Sequence, residues 1–204
     1  MLVTMARPKG FDPEHALDAA MDAFWSKGYA ATSAQDLVDS TGLGRGSLYH
    51  AFSSKHRLFQ EVLRRYEDTW TVRQEAVLEG EGDVRARVRQ VLMTVVDEES
   101  SPRESGPSAG AGARRGCLAV NAALELAGRD PEVTDRVERI FLRMEEALYA
   151  TFERARRDGE IAADRDTREL ARFTLNSMYG LRVLGKTAGR QVLTGIVDTV
   201  LRAL

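Results

Sequence analysis

The feature that most constrains this chain is the density of helix punctuation in its first third. Asp12 followed by Pro13 marks a helix start: the aspartate side chain can accept from an orphan N–H, and proline at the first helical position gives up an N–H that has no partner there. Gly28 is a stop, Ser33 and Asp36 form an S-x-x-D capping box, Gly42 is a second stop, and Ser54 restarts the chain. Phe11 precedes the first cap as a possible hydrophobic staple, and Ala16, Ala19, Ala20, Ala23 and Phe24 recur at helical spacing. These signals predict a first helix with a small-residue face, a short second helix, barely two turns over "RGSLYHAF", and a long helix from about Ser54 to Leu78.

The rest of the chain has the same grammar. Helical patterns run from Asp83 to about Glu99, then over 117–128, 131–158 (Asp130 as cap, Pro131 first), 166–187 (Asp166 and Glu169 as a box) and 189–204. No β-strand is needed, so the expected fold class is all-α. It divides into an N-terminal helix-turn-helix unit over 1–55, with a short basic arm, and a C-terminal helical unit over 56–204. Within the second unit lies "SPRESGPSAGAGARRG", a Gly/Ser/Pro-rich loop over 101–116 expected to be mobile. At 204 residues and 43% hydrophobic, the chain can bury one sizeable core or two small joined ones. The absence of an apolar leader or a long apolar run predicts a cytoplasmic protein without membrane contact.

The three glycines of "TGLGRGSLYHAF", Gly42, Gly44 and Gly46, admit two uses. A dinucleotide loop needs G-x-G-x-x-G directly after a strand; here the spacing is G-x-G-x-G after a helix, and "GPSAGAGARRG" lacks both strand and G-K-[ST]. Two helices joined by a short glycine-containing turn fit better, as a helix-turn-helix whose second helix enters the major groove. With Leu48 inward, Gly46 and His50 point nearly opposite, Ser47 and Tyr49 flank them, and Ala51 and Phe52 return to the core side. The formal net charge of −2 provides no global attraction for DNA, so contact must come from a local patch: Arg45 at the helix start, Lys55 beside the next helix, and the arm carrying Arg7 and Lys9 around Pro8.

Residues 11 to 66 resemble the DNA-binding domain of the TetR family of bacterial transcriptional regulators. The resemblance rests on "GYAATS" as an entry, "GLGRGSLYHAF" as a recognition segment and "SKHRL" as a restart. It implies that Ser33 touches the DNA backbone, that Gln35 reaches a base, that Arg45, Gly46, Ser47, Tyr49 and His50 form the recognition face, and that Lys55 grips phosphate. Val38 departs from the family, which usually has alanine where the two helices cross. "GCLAVNAALELA" also resembles a stretch found in some members.

The resemblance further implies a double-stranded, pseudo-palindromic DNA operator, a homodimer, and release by an unidentified, largely apolar small-molecule effector. Trp70, Met93, Phe141, Met144, Phe173, Met178 and Tyr179, together with Cys117, are candidates to line a cavity, with Asn121 or Arg182 as polar contacts; each taken singly also reads as ordinary core. Gly180 and Gly185, with Leu181, Leu184, Val192, Ile196, Val197, Val200 and Leu201, form more apolar surface than one hairpin buries, which points to dimerisation.

No catalytic, metal or cofactor constellation is expected. All three histidines (His15, His50, His56) lie in the first third, the one cysteine has no partner, and the carboxylate pairs Glu98–Glu99 and Glu145–Glu146 are adjacent residues that diverge on a helix. Cys117 leaves two readings open: a thiol that senses oxidants or electrophiles with help from Arg114 or Arg115, or a small apolar side chain that simply packs.

Overall fold

The computed structural model of the protein describes residues 12–100 and 115–204, and every regular element among them is helical. The basic arm of Arg7 and Lys9, Arg114 and most of the loop expected over 101–116 lie outside the described residues. Asp12 caps α1 (Pro13–Lys27) by accepting from the Glu14 N–H, and Gly28 ends it at φ 82°. Ser33 and Asp36 close a reciprocal capping box on α2 (Ala34–Thr41), which stops at the left-handed Gly42. α3 (Arg45–Phe52) follows, then α4 (Lys55–Tyr66), capped by the Ser54 hydroxyl.

The long helix expected from Ser54 to Leu78 is interrupted. A π-helical turn, Glu67–Thr71, carries α4 into α5 (Val72–Glu79), and it places Trp70 and Thr71 in the interior. An extra residue in the turn rotates the apolar face of the segment, which apolar spacing alone does not announce.

The remaining helices are α6 (Val84–Ser100), α7 (Leu118–Leu126), α8 (Pro131–Arg157), α9 (Thr167–Leu184) and α10 (Arg190–Ala203). α8 and α9 pack along one another, α10 lies on α6 and α9, and α7 rests on α8. α4 serves two cores. Phe59 meets Phe24 and Tyr29 of the N-terminal unit at 5.0 and 4.8 Å between ring centroids, while Tyr66 stacks on Trp70 in the C-terminal one.

The two units are tied by a small set of polar contacts. Trp25 Nε1 of α1 donates to the Gly116 carbonyl at 3.0 Å, Arg115 pairs with Asp22, and the Ala30 N–H donates to Glu125 on α7. At the start of α4, His56 lies 3.3 Å from Asp130 and 3.4 Å from Glu132, both at the head of α8.

Candidate nucleic-acid interface

The geometry around α3 begins with its anchor. Leu48 is fully buried, while Arg45, Gly46, Ser47 and His50 are exposed and Tyr49 is half-buried. On this eight-residue helix Leu48, with Phe52 partly buried on the same side, fixes which face looks outward, as the 3.6-residue period requires. Gly44 provides no side-chain cap, so the first N–H groups of α3 remain available to an anion, and no atom lies within 4 Å of where a Cβ on Gly44 or Gly46 would stand. The backbone here can approach another surface closely.

α2 is fixed at its own start and tied there to α1. The Asp36 N–H donates to Ser33 Oγ at 3.1 Å, and the Ser33 N–H and hydroxyl donate back to Asp36 Oδ2 at 2.8 and 2.7 Å. Lys27 Nζ reaches Asp36 Oδ1 at 2.5 Å; this contact first, and the Ser33 bonds second, hold the Asp36 carboxyl well below the usual carboxylate range. Gln35 is exposed and donates to Asp39 along the helix at 2.7 Å. Val38, where the resemblance anticipated alanine, is partly buried against the core.

Lys55, expected to grip phosphate, already makes contacts within the chain. Its Nζ lies 4.6 Å from the centroid of the Tyr29 ring and 3.5 Å from the Ala30 carbonyl, and this burial lowers its pKa, opposed by Glu125 and Asp36. The lysine rests across the corner between α1 and α2. Tyr29 and Lys27 were not singled out in the sequence, although "GYAATS" contains the tyrosine that shapes this corner.

The cavity candidates separate into three groups. Trp70, Cys117, Met144, Met178 and Arg182 are buried, with Phe141 and Tyr179 packed beside them at 4.6 Å between rings. Met93 is half-buried at the edge of the same core. Asn121 turns away to donate to the Arg115 carbonyl at 2.9 Å, and Phe173 stands outside at 44% exposure, because α9 turns that face to solvent. The residues expected at a dimer surface divide in the same way. Leu181, Val197, Val200 and Leu201 are interior, and Gly185 lets α9 cross α6, where an added Cβ would come 2.6 Å from Glu99 Cβ. The apolar residues left exposed there are Phe173, Val183, Leu184 and Val192, beside open Gly180 and Gly195.

Both carboxylate pairs prove to hold an arginine. Glu145 and Glu146 clamp Arg168 on the surface, while Glu98 and Glu99 meet the buried Arg182 at 2.5 and 3.0 Å. Burial disfavours the Arg182 charge, yet Glu98 and then the further neighbours, Glu99 among them, outweigh it and hold its pKa above the ordinary value. Cys117 is 1% exposed, with Sγ 3.2 Å from the Tyr66 hydroxyl, and Arg115 is engaged with Asp22. Burial, and secondarily Cys117, push the Tyr66 hydroxyl well up, so it stays protonated.

Two short helices joined by a glycine-containing turn, the second with a solvent-facing polar side, form a helix-turn-helix, here joined through α4 to a helical body. Comparison with known proteins gives the family. The profile of the tetR family of bacterial regulatory proteins matches residues 16–62, and that of the tetracyclin repressor-like C-terminal domain matches residues 106–193. The chain is 31% identical over 202 residues to YezE of Bacillus subtilis (strain 168), an uncharacterized HTH-type transcriptional regulator, covering 98% of this chain and 100% of that one. It is also 31% identical over 198 residues to the HTH-type transcriptional repressor ComR of Escherichia coli (strain K12), covering 96% of this chain and 90% of that one. Among solved structures, a cysteine-substituted form of the TetR family regulator CifR complexed with 26 bp operator DNA superposes with a TM-score of 0.83 at 34% identity, covering 97% of this chain and 99% of that one. The chain belongs to the TetR family of transcriptional regulators, which is not a family of enzymes.

Proposed function

We propose that the protein is a transcriptional repressor that binds duplex DNA as a homodimer and is released from a pseudo-palindromic operator by a small molecule. The observation that carries the DNA reading is α3: one buried leucine, an uncapped N-terminus, and Arg45, Gly46, Ser47 and His50 turned to solvent. In this reading Arg45 reads a base edge, Ser47, Tyr49 and His50 contact bases or phosphates, Gln35 and Ser33 approach from α2, and Lys55 swings from the Tyr29 ring to a phosphate. The operator-bound CifR structure and the repressor ComR support it.

Two-fold symmetry follows from the exposed apolar residues of α9 and α10, which a second copy would cover. Effector release is a linkage: a ligand that fits the C-terminal interior better when the two recognition helices are wrongly spaced weakens DNA binding by the factor with which DNA weakens the ligand's own. Residues 1–55 form the reading head and 56–204 the sensing and pairing body, with α4 common to both. Sensing through Cys117 finds no support in its setting, since the thiol is buried and bonded to Tyr66.

The test is selection of duplexes from random DNA by the purified protein at about 150 mM salt, where binding driven by phosphates alone is weak. Enrichment of a palindrome is expected. A folded protein that enriches nothing would overturn the reading.

A further inference from the structure

The C-terminal interior holds polar atoms that its own packing does not satisfy. Among the described residues, Trp70 Nε1, the Tyr179 hydroxyl and Arg182 Nε are buried without a hydrogen-bond partner. The indole N–H can only donate, and burial, then Cys117, raise the Tyr179 pKa so that its hydroxyl keeps its proton. An unpaired buried donor is costly, and three of them in one layer call for an acceptor. The Arg182 guanidinium carbon lies 5.6 Å from the Trp70 ring centroid and within electrostatic reach of Tyr179. Trp70 is delivered by the π-helical turn, a local expansion that recurs at functional sites.

Charge decides the class of molecule these donors await. Arg182 faces two carboxyl groups, Glu98 and Glu99, so the cluster has no spare positive charge for an anion. A cation would have to lose its water beside the guanidinium. Glu99 Oε2 also lacks a partner among the described residues, which sets a further acceptor against any anionic guest. What remains is a neutral guest whose oxygen accepts from the indole and the phenol.

Resting on the effector-responsive reading above, we infer that the layer of Trp70, Tyr179 and Arg182 binds a compact, neutral, largely apolar molecule through one hydrogen-bond-accepting oxygen, such as a ketone. The layer is wired to the reading head. Tyr66 stacks on Trp70, its hydroxyl meets Cys117, and the Gly116 carbonyl just before that cysteine accepts from Trp25 of α1. A guest that moves Trp70 therefore pulls on α1 through Tyr66 and the Arg115–Cys117 segment.

The experiment uses the full chain and four probes of similar size: acetophenone, benzoate, ethylbenzene and benzylammonium. Melting and calorimetric titration read binding, because a ligand of the native state raises the melting temperature with saturation. Acetophenone is expected to bind, with benzoate and benzylammonium at least tenfold weaker. Tyr179→Phe should weaken acetophenone several-fold while leaving ethylbenzene unchanged, and Trp70→Phe should act in the same direction. Tyr179→Phe is the decisive variant, since it removes one oxygen and keeps the ring packed on Phe141. Tightest binding by benzoate or benzylammonium, equal binding of acetophenone and ethylbenzene, or no binding by any of the four each overturns the inference. Operator release distinguishes the two levels. A charged compound that frees DNA would overturn this ligand class and leave effector control standing, whereas operator binding that no wider compound set alters would remove both.

Discussion

In the N-terminal unit, Arg45, Ser47 and His50 stand in solvent on an eight-residue helix held by Leu48; in the C-terminal unit, Arg182 is 2% exposed and pressed between Glu98 and Glu99. The first arrangement costs little to maintain, because exposed polar groups keep their water until DNA arrives. The second must be satisfied inside the protein, where a lone charge is expensive. A surface that meets a highly charged polymer can leave its contacts unmade beforehand, whereas a buried core has to balance its charge within the fold.

Breaking the buried side of this comparison should have the largest effect. Arg182→Ala strands Glu99 in the core and should cost about 3–5 kcal/mol in urea unfolding, while removal of Arg168 from its solvent-screened surface clamp should cost far less. Leu48→Ala should cost roughly 2–5 kcal/mol at the reading head, seen as faster amide exchange in α3 with α8 and α9 unaffected. Val192→Glu should leave the protomer folded and shift sedimentation toward monomer, because that valine is 56% exposed on the proposed pairing face.

Smaller effects sharpen the exposed side. Ser33→Ala removes the acceptor for the Asp36 N–H and should cost about 1 kcal/mol. Because the folded-state pKa of Asp36 is lowered, chiefly by Lys27, its contribution is complete above the ordinary carboxylate value of about 4 and is lost as pH falls below it. Protection of α2 amides should accordingly decline on acidification. An unchanged α2 at about pH 3 would contradict the role given to the Lys27–Asp36 pair.

Nearly every helix was legible in the sequence because Asp12, Ser33, Gly42, Asp130 and Asp166 act on their own backbone within a few residues. The outward face of α3 was legible for the same reason, since Leu48, with Phe52 one turn on, sets its phase. What escaped was non-local. The perch of Lys55 on Tyr29 and the grip of Glu98 and Glu99 on Arg182 join residues far apart in the chain. A signal for the latter was present, because Glu99 continues the apolar stripe of Val88, Leu92 and Val95 on α6, and a charge on such a stripe needs a buried partner. The π-helical turn and the inward orientation of Leu181, Val197 and Val200 depend on how whole helices pack, so apolar spacing could not assign them.

The central claim is that α3 reads sequence while Lys55 supplies attraction, and it is tested most directly by comparing wild type, Arg45→Ala and Lys55→Ala on a selected palindrome and on random duplex across a salt series. Arg45→Ala should lose about 1–3 kcal/mol on the palindrome and little on random DNA, relaxing preference at one position per half-site. Lys55→Ala should weaken both duplexes alike and flatten the salt dependence by about one phosphate contact. Equal losses on both duplexes for both variants would contradict the claim.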